Sequence, residues 1–351
     1  MPTKEELINS FDPNGPGKAG QLFGLPFDQT TAEVVIVPIP WDVTVSYKSG
    51  TAAGPQAMLA ASSQVDLFVK DIPNAWQLGI AMQPIPSKIA DESSHLREMA
   101  LSHIDKIERG EAEGDKFAVA RINEACESLL IYVKTSIKKL LDQNKLVGLI
   151  GGDHSTPLGF IHALNERYDS FGILHIDAHA DLRRAYEGFT YSHASIMFNA
   201  LKMPSVRRLV QVGIRDYCEE EQQVMDRAKG RIKTFFDADI KQSEFDGENW
   251  SSICHRIVDE LPELVYISFD IDGLDPKLCP HTGTPVPGGL DFFQVTSLLK
   301  MVAQSGKKII GFDLNEVAPG DDEWDANVGA RLLYILCNTM AVTHGKLGYT
   351  R

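Results

Sequence analysis

Short apolar runs bounded by turn residues alternate along the chain with longer segments in which apolar residues recur at helical spacing. Runs that are apolar at nearly every position are typical of strands buried on both faces of a parallel sheet. The pattern predicts strands at residues 34–39, 146–150, 172–176, 209–212, 233–236, 265–269 and 308–312.

The segments between these runs carry amphipathic periodicity, which predicts helices. One helix begins near Pro55, and others cover residues 95–109, 117–144, 157–167, 194–201, 219–229, 251–260, 292–303 and 326–342. This alternation predicts one α/β domain in which helices cover a mostly parallel sheet. Residues 1–32 are rich in Gly, Pro and Asn, so we expect an irregular N-terminal arm followed by a single domain over residues 33–351.

The charge balance narrows the class of partner. The formal net charge is −14 over 351 residues, which disfavours nucleic acid and anionic membrane surfaces as partners and favours a cationic small molecule. The sequence has neither a long apolar run nor the apolar core of a signal peptide. The five cysteines are scattered and form no CxxC pair, so we expect reduced thiols and a cytoplasmic protein.

Polar motifs follow four of the predicted strands. In open α/β sheets, ligands bind beyond the carboxyl ends of the strands, which is where these motifs lie. For the motif at residues 151–159, the alternative interpretation is an ordinary turn in which Asp153 or Ser155 caps the following helix and the histidine is structural. The motifs are GGDHSTPLG (residues 151–159), HIDAHAD (175–181), SFDIDGLDP (268–276) and DLNEVAP (313–319).

The second motif places Asp177, His179 and Asp181 at alternate positions after a buried strand. On an extended backbone, side chains two residues apart point to the same side, so these three are expected to converge. Carboxylates packed this closely repel each other unless a positive charge lies among them. A cation is therefore predicted at this strand end.

Six side chains from three strand ends are candidate metal ligands. Carboxylate and imidazole together suit borderline divalent ions such as Mn, Ni, Fe, Co or Zn. Six donors exceed what one ion with an open position needs, and they suit two ions that share bridging carboxylates and activate a water. The expected chemistry is hydrolysis or hydration. The six are His154, Asp177, His179, Asp181, Asp270 and Asp272.

Taken together and in this order, GGDHS, DAHAD, SFDIDGLDP with GTPVPGG, and DLNEVAP resemble the signatures of the ureohydrolase (arginase/agmatinase) family. The resemblance covers roughly residues 33–342, and the opening stretch is most similar to the agmatinase-like and guanidinase branch. It implies a three-layer α/β/α sandwich around an eight-stranded, mostly parallel sheet. It also implies that residues 33–351 form one ureohydrolase catalytic domain.

The resemblance further implies two divalent ions per chain, manganese by family habit or nickel as on the guanidinase side. Asp177 and Asp270 would bridge the ions. One ion would be held by His154, Asp177, Asp181 and Asp270, and the other by Asp177, His179, Asp270 and Asp272.

By the same resemblance, Glu316 pairs with the guanidinium of the substrate and His193 shuttles protons. A carboxylate suits a planar cation with paired N–H donors, and an imidazole titrates near neutrality. Hydroxide would attack the guanidinium carbon, and Asp181 or His193 would pass a proton to the leaving nitrogen. The products would be urea, or a substituted urea, and an amine or ammonia.

The segments around the expected pocket differ from those of the best-known members of the family. LRRAYEGFTYSHAS after the metal loop does not resemble the arginine-specific pattern, so arginine is disfavoured. His281 precedes TGTP where many agmatinases have glycine, so His281 is a candidate substrate-binding residue. Arg183 and Arg184 are unexpected beside a dicationic substrate. We therefore expect a small guanidine or a biguanide such as metformin, with agmatine as the alternative.

Two further alternatives remain at this point. The fold is shared with metal-dependent amide deacetylases, although those generally use one ion, which would leave His154 and Asp272 without a role. The chain could also be a subunit of a hetero-oligomer that needs an unlike partner. The resemblance implies a trimer or a hexamer, homo- or hetero-oligomeric.

Overall fold

We describe the protein from a computed structural model, which covers residues 2–111 and 114–350. A single eight-stranded sheet, parallel throughout, forms its centre in the order β2-β1-β3-β8-β7-β4-β5-β6. The predicted fold class is therefore confirmed. The strands are β1 (Val34–Pro38), β2 (Ile80–Met82), β3 (Leu146–Ile150), β4 (Phe171–Ile176), β5 (Val206–Ile214), β6 (Ile232–Phe236), β7 (Leu264–Asp270) and β8 (Lys308–Asn315).

Helices fill most of the connections between the strands. Among the residues that the structure describes, none of these helices combines the length and the apolar character that a membrane crossing requires. They are α1 (Lys4–Ser10), α2 (Gly54–Ala61), α3 (Ser87–Glu108), α4 (Lys116–Asp142), α5 (Leu158–Arg167), α6 (Ile196–Ala200), α7 (Glu219–Arg227), α8 (Asp237–Phe245), α9 (Trp250–Asp259), α10 (Phe292–Gln304) and α11 (Trp324–Thr343).

Every predicted strand and helix is present, and three of the strands and α-helices within the described residues were missed. Strand β2 has only three residues, too few for a periodic pattern. Helix α8 does not segregate apolar from polar residues onto opposite faces. The arm expected to be irregular contains α1, which Thr3 and Glu6 stabilise by a capping box that the sequence pattern T-x-x-E could have revealed.

The core lies on both sides of the sheet, which explains the uninterrupted apolar runs. In β1, Val34 and Ile36 pack into one hydrophobic cluster, whereas Val35 and Val37 pack into the other. Helices α2, α9, α10 and α11 contribute to the first cluster, and α3, α4, α5 and α6 contribute to the second. Strand residues that alternate between two apolar layers produce the three-layer architecture.

The strand order brings the polar motifs together. Strands β3, β8, β7 and β4 are consecutive neighbours in the middle of the sheet. Because all four run in the same direction, their carboxyl ends lie at one edge. These ends lead into the segments that carry His154, Glu316, Asp270 and Asp177 respectively.

Candidate active site

His154 is at the centre of the first group of donor atoms. Its Nδ1 lies 3.0 Å from Asp177 Oδ2, 3.1 Å from Asp181 Oδ2 and 3.4 Å from Asp270 Oδ2. All four residues are at least 95% buried. The arrangement brings together the four residues that the sequence assigns to one ion.

A second group lies on the other side of Asp177. His179 Nδ1 is 3.1 Å from Asp272 Oδ2 and 3.5 Å from Asp177 Oδ1. Asp177 therefore presents a different oxygen to each histidine, an arrangement that suits a carboxylate shared by two ions. Asp270 Oδ1 accepts the backbone N–H of Asp272 at 2.9 Å, and a bridging role for Asp270 stays a prediction.

The side chains of HIDAHAD (residues 175–181) converge, but not on the extended backbone that the sequence predicted. Strand β4 ends at Ile176, so the alternate side chains are not aligned by an extended strand. Instead, the loop folds around the carboxylates: His179 N–H donates to Asp177 Oδ1 and Ala178 N–H donates to Asp272 Oδ1. Asp181 adopts a left-handed backbone with φ 54°, which turns its carboxylate back toward His154.

The pKa values of these buried groups show that the cluster requires compensating positive charge. Burial, reinforced by neighbouring carboxylates, raises the pKa of Asp270 well above its usual range and that of Asp181 to about 7. Burial alone would lower the pKa values of His154 and His179, but the adjacent aspartates raise both. The group thus retains protons to offset concentrated negative charge. Divalent cations would displace those protons and offset the same charge, so the donor set fits them.

Glu316 lies beside this group, directly after β8. Its Oε1 accepts the backbone N–H of His154 at 2.9 Å, whereas its buried Oε2 has no hydrogen-bond partner among the residues that the structure describes. A Cβ on Gly283 would lie 3.2 Å from that Oε2, so the glycine leaves space there. Burial, then the charge of Asp153, raises the pKa of Glu316 well above its ordinary value. A cation that reached Oε2 would stabilise the ionised form.

His193 lies in the wall of a cavity of about 460 Å³ that also reaches His179 and Asp181. Its backbone N–H donates to Thr44 Oγ1 at 3.2 Å, and its Nε2 lies 3.5 Å from Ser46 Oγ. Removal from bulk water, and then the charge of His179, lowers the pKa of His193 to about 3. The imidazole is therefore neutral at physiological pH.

His281 is held away from this cavity. Its backbone N–H and its Nδ1 both contact the carboxylate of buried Asp325, at 3.0 Å and 2.9 Å, and its ring packs on Gly320. The next residue, Thr282, donates its hydroxyl to the backbone oxygen of Glu316. His281 thus ties two loops together next to Glu316, and its predicted contact with substrate stays a prediction.

The mouth of the cavity contains Arg183, which the sequence analysis named, and other charged residues that it did not. Lys48 lines it beside Tyr47, and Asp216 lies with one carboxylate oxygen 3.9 Å from His179 Nε2. Arg183 also lines the mouth; its guanidinium lies over the Tyr186 ring and 3.8 Å from Glu221. Neither Lys48 nor Asp216 lies in one of the four polar motifs, so those motifs gave no signal for them.

The sequence is similar to a known family and to known enzymes over most of its length. The arginase family model matches residues 32–338. An N(1)-aminopropylagmatine ureohydrolase of Thermus thermophilus is 33% identical over 308 residues, which are 86% of this chain and 88% of that protein. A guanidinobutyrase of Pseudomonas aeruginosa is 28% identical and covers 92% of both chains.

Among solved structures, the agmatine ureohydrolase of Thermoplasma volcanium superposes with a TM-score of 0.68 at 22% identity. The alignment covers 97% of this chain and 99% of that one, and it shows that the two share a fold. The family match extends over nearly the whole described chain and includes all four polar motifs. On this basis, the chain belongs to the arginase family.

Proposed function

We propose that this arginase-family amidinohydrolase uses two divalent ions to cleave a guanidine C–N bond. Water and the guanidinium substrate would give urea, or a substituted urea, and an amine or ammonia. The observation that carries the proposal is the buried Oε2 of Glu316, which lies beside the clustered donor atoms and has no partner within residues 2–111 and 114–350. A buried carboxylate oxygen without a donor is an incomplete hydrogen-bonding site, and a planar guanidinium would complete it.

The ions would be held by the six predicted side chains in two groups that share Asp177. Bound divalent ions lower the pKa of water toward neutrality and so supply hydroxide as a nucleophile. The choice between manganese and nickel belongs to the proposal, because both accept mixed carboxylate and imidazole ligation. The six side chains are His154, Asp177, His179, Asp181, Asp270 and Asp272.

Glu316 would orient the guanidinium so that its central carbon faces the nucleophile. Asp181 and His193 are placed to handle protons, since both line the cavity that leads to the donor cluster. Bound divalent ions would keep Asp181 ionised, and its carboxylate could then accept a proton from the attacking water. Neutral His193 would take up a proton only transiently, because its pKa is about 3, and the short-lived imidazolium would be a strong acid toward the leaving nitrogen.

We propose a small guanidine or a biguanide such as metformin as the substrate. Neither carries a second cationic group far from the reacting carbon. Lys48 and Arg183 bring two positive charges to the cavity mouth, and they would repel the distal ammonium of a diamine tail. Glu221, the carboxylate near Arg183, is buried and already accepts the backbone N–H groups of Leu182 and Cys218.

Agmatine is the second candidate, and Asp216 favours it. This carboxylate lies at the cavity mouth with its side chain 68% exposed, so it could accept a distal ammonium. The names of two relatives, agmatinase and N(1)-aminopropylagmatine ureohydrolase, refer to such substrates in those proteins. The family match disfavours the amide deacetylase alternative.

The assembly and the location of the enzyme are also proposals. We propose a trimer or hexamer, either of this chain alone or with an unlike subunit. All five cysteines are free, and four of them are buried, which supports a reducing, cytoplasmic environment.

The test is release of urea or a substituted urea, together with the amine or ammonia, from a panel of guanidine, metformin, agmatine, 4-guanidinobutyrate and arginine, each with the enzyme reconstituted in Mn²⁺ or Ni²⁺. We expect the highest kcat/KM for guanidine or metformin. A preference for agmatine would support the second candidate. No urea or substituted urea from any compound, with metal bound at two equivalents and the native oligomer verified, would contradict the proposed function.

A further inference from the structure

A row of polar side chains crosses the sheet beneath the metal cluster. Strand register aligns Asp313, Ser268, His175, Gln211 and Thr234 on the consecutive strands β8, β7, β4, β5 and β6. The first four are completely buried. In a sheet whose two faces are otherwise packed with apolar side chains, such groups are costly unless each has a defined partner.

The orientation of the Gln211 amide follows from its surroundings. Its Nε2 lies 2.8 Å from the backbone oxygen of Ala180, which can only accept, so that end of the amide must be the NH₂ group. Its Oε1 accepts the hydroxyl of Thr234 at 3.1 Å. The amide therefore has one orientation, and its second N–H points at His175 Nδ1, 3.0 Å away.

That N–H determines the tautomer of His175. Because Nδ1 accepts from Gln211, it carries no proton, and the ring proton of the neutral imidazole lies on Nε2. Nε2 is 2.7 Å from Asp177 Oδ2, so it donates to the carboxylate shared by the two donor groups. A nitrogen that carries a proton cannot coordinate a metal ion.

We propose that His175 is a positioning residue that donates to the shared carboxylate of Asp177, and that Gln211 sets its tautomer. The inference rests on the proposed metal centre, although not on the identity of the substrate. Asp177 Oδ1 accepts the backbone N–H of His179 at 2.5 Å, and Oδ2 accepts from His175 at 2.7 Å. Both oxygens are thus held in place, which orients the carboxylate before a metal binds.

The competing interpretation is that His175 is itself a ligand. Its ring nitrogens lie close enough to donor atoms of His154, Asp177 and Asp181 for one ion to reach all four residues. The two interpretations differ in what residue 175 must supply. A ligand must offer a lone pair, whereas a positioning residue must offer an N–H to Asp177.

The experiment compares Mn²⁺ affinity and stoichiometry in two variants, measured by chelator competition on metal-free full-length protein. His175→Gln places an amide N–H near the position of Nε2, whereas His175→Leu removes the donor at similar volume. We expect two equivalents in both, with affinity within about 3-fold of wild type for the glutamine variant. The leucine variant is expected to bind 10–100-fold more weakly. Loss of one equivalent in both variants, or unchanged affinity in the leucine variant, would overturn the proposal.

A double-mutant cycle tests whether Gln211 acts through His175. Gln211→Leu should weaken Mn²⁺ binding several-fold in the wild type and have no further effect in the His175→Leu background. Thr234→Val is the matched control, since the Ala180 oxygen still orients the amide, and its affinity should stay within about 2-fold. Additive effects of the two leucine substitutions would refute the role of Gln211. Melting temperatures verify that each variant folds, and none of these readouts depends on urea release.

Discussion

Replacing Glu316 with glutamine tests the guanidinium site with minimal change of shape. The glutamine oxygen can take the place of Oε1 and still accept the backbone N–H of His154. What is lost is the negative charge and the acceptor at Oε2, the atom without a partner in the structure. The substitution therefore removes the proposed contact with the substrate and leaves the hydrogen bond to His154 in place.

The expected loss follows from burial. Removing one partner of a buried ion pair costs about 3–5 kcal/mol, and a single charge-assisted hydrogen bond contributes about 1.5–3 kcal/mol. Because one carboxylate oxygen remains engaged, we take the value where the two ranges meet, about 3 kcal/mol. At 1.36 kcal/mol per factor of ten, kcat/KM should fall about 10²-fold.

The stability of the metal-free Glu316→Gln variant should not fall with its activity. Burial and the charge of Asp153 raise the pKa of Glu316, so ionising this group at neutral pH costs folding free energy. The neutral glutamine avoids that cost, and the melting temperature of the metal-free variant should be unchanged or higher. A catalytic loss without a loss of stability would be the signature of a substrate-binding carboxylate.

The assay is steady-state urea release on the most active compound of the panel, with melting followed by circular dichroism. Glu323→Gln is the matched control, because Glu323 is exposed and lies in the same connection between β8 and α11. Its kcat/KM should equal that of wild type. A Glu316→Gln enzyme within about 3-fold of wild type, or one whose activity falls only in proportion to its folded fraction, would refute the reasoning.

Four further predictions follow from the site. In the metal-free protein, Asp181 has a pKa raised from 3.8 to about 7, so its contribution to stability is full below 3.8 and is lost as pH rises through 7. The melting temperature of the metal-free protein should fall between pH 5 and pH 8. The increase in melting temperature that Mn²⁺ causes should grow over the same range, as differential scanning calorimetry can measure. An increase that grows toward low pH would contradict this. His193→Asn should lower kcat about 10²–10⁴-fold at a constant Mn²⁺ content, and a change confined to KM would argue against proton transfer. His281→Ala should raise KM if the residue contacts substrate, whereas an unchanged KM with a lower melting temperature would assign it to the loop contact with Asp325. Lys48→Glu should shift the kcat/KM ratio toward agmatine and away from guanidine by about 3–10-fold, a shift that salt should reduce, and an unchanged ratio would remove Lys48 from substrate selection.

Much of the fold was predictable because its strands are buried on both faces. Such strands consist of short apolar runs, and all seven predicted runs became strands of the one sheet. The missed strand, Ile80–Met82, has only three residues and pairs with β1 alone at the edge of the sheet. A periodic pattern of apolar and polar positions cannot be recognised over only three residues.

The position of the donor atoms required the tertiary structure. The sequence pattern indicated His154, Asp177 and Asp270 as strand-end residues, but their proximity depends on the order β3-β8-β7-β4. The loop after β4 converges through its left-handed residue Asp181 and its backbone hydrogen bonds, which alternation on an extended chain does not describe.

The sequence by itself determined which chemistry this protein can perform, because residue types set ligand preference, charge and the family to which the motifs belong. Only the tertiary structure decided which oxygen of Asp177 faces which histidine, which tautomer His175 adopts, and that Glu316 keeps one oxygen unpaired. The physical reason is that these properties depend on hydrogen bonds between groups far apart in sequence. Such bonds form only when strands and loops pack together in the folded chain, so a local sequence pattern cannot predict them.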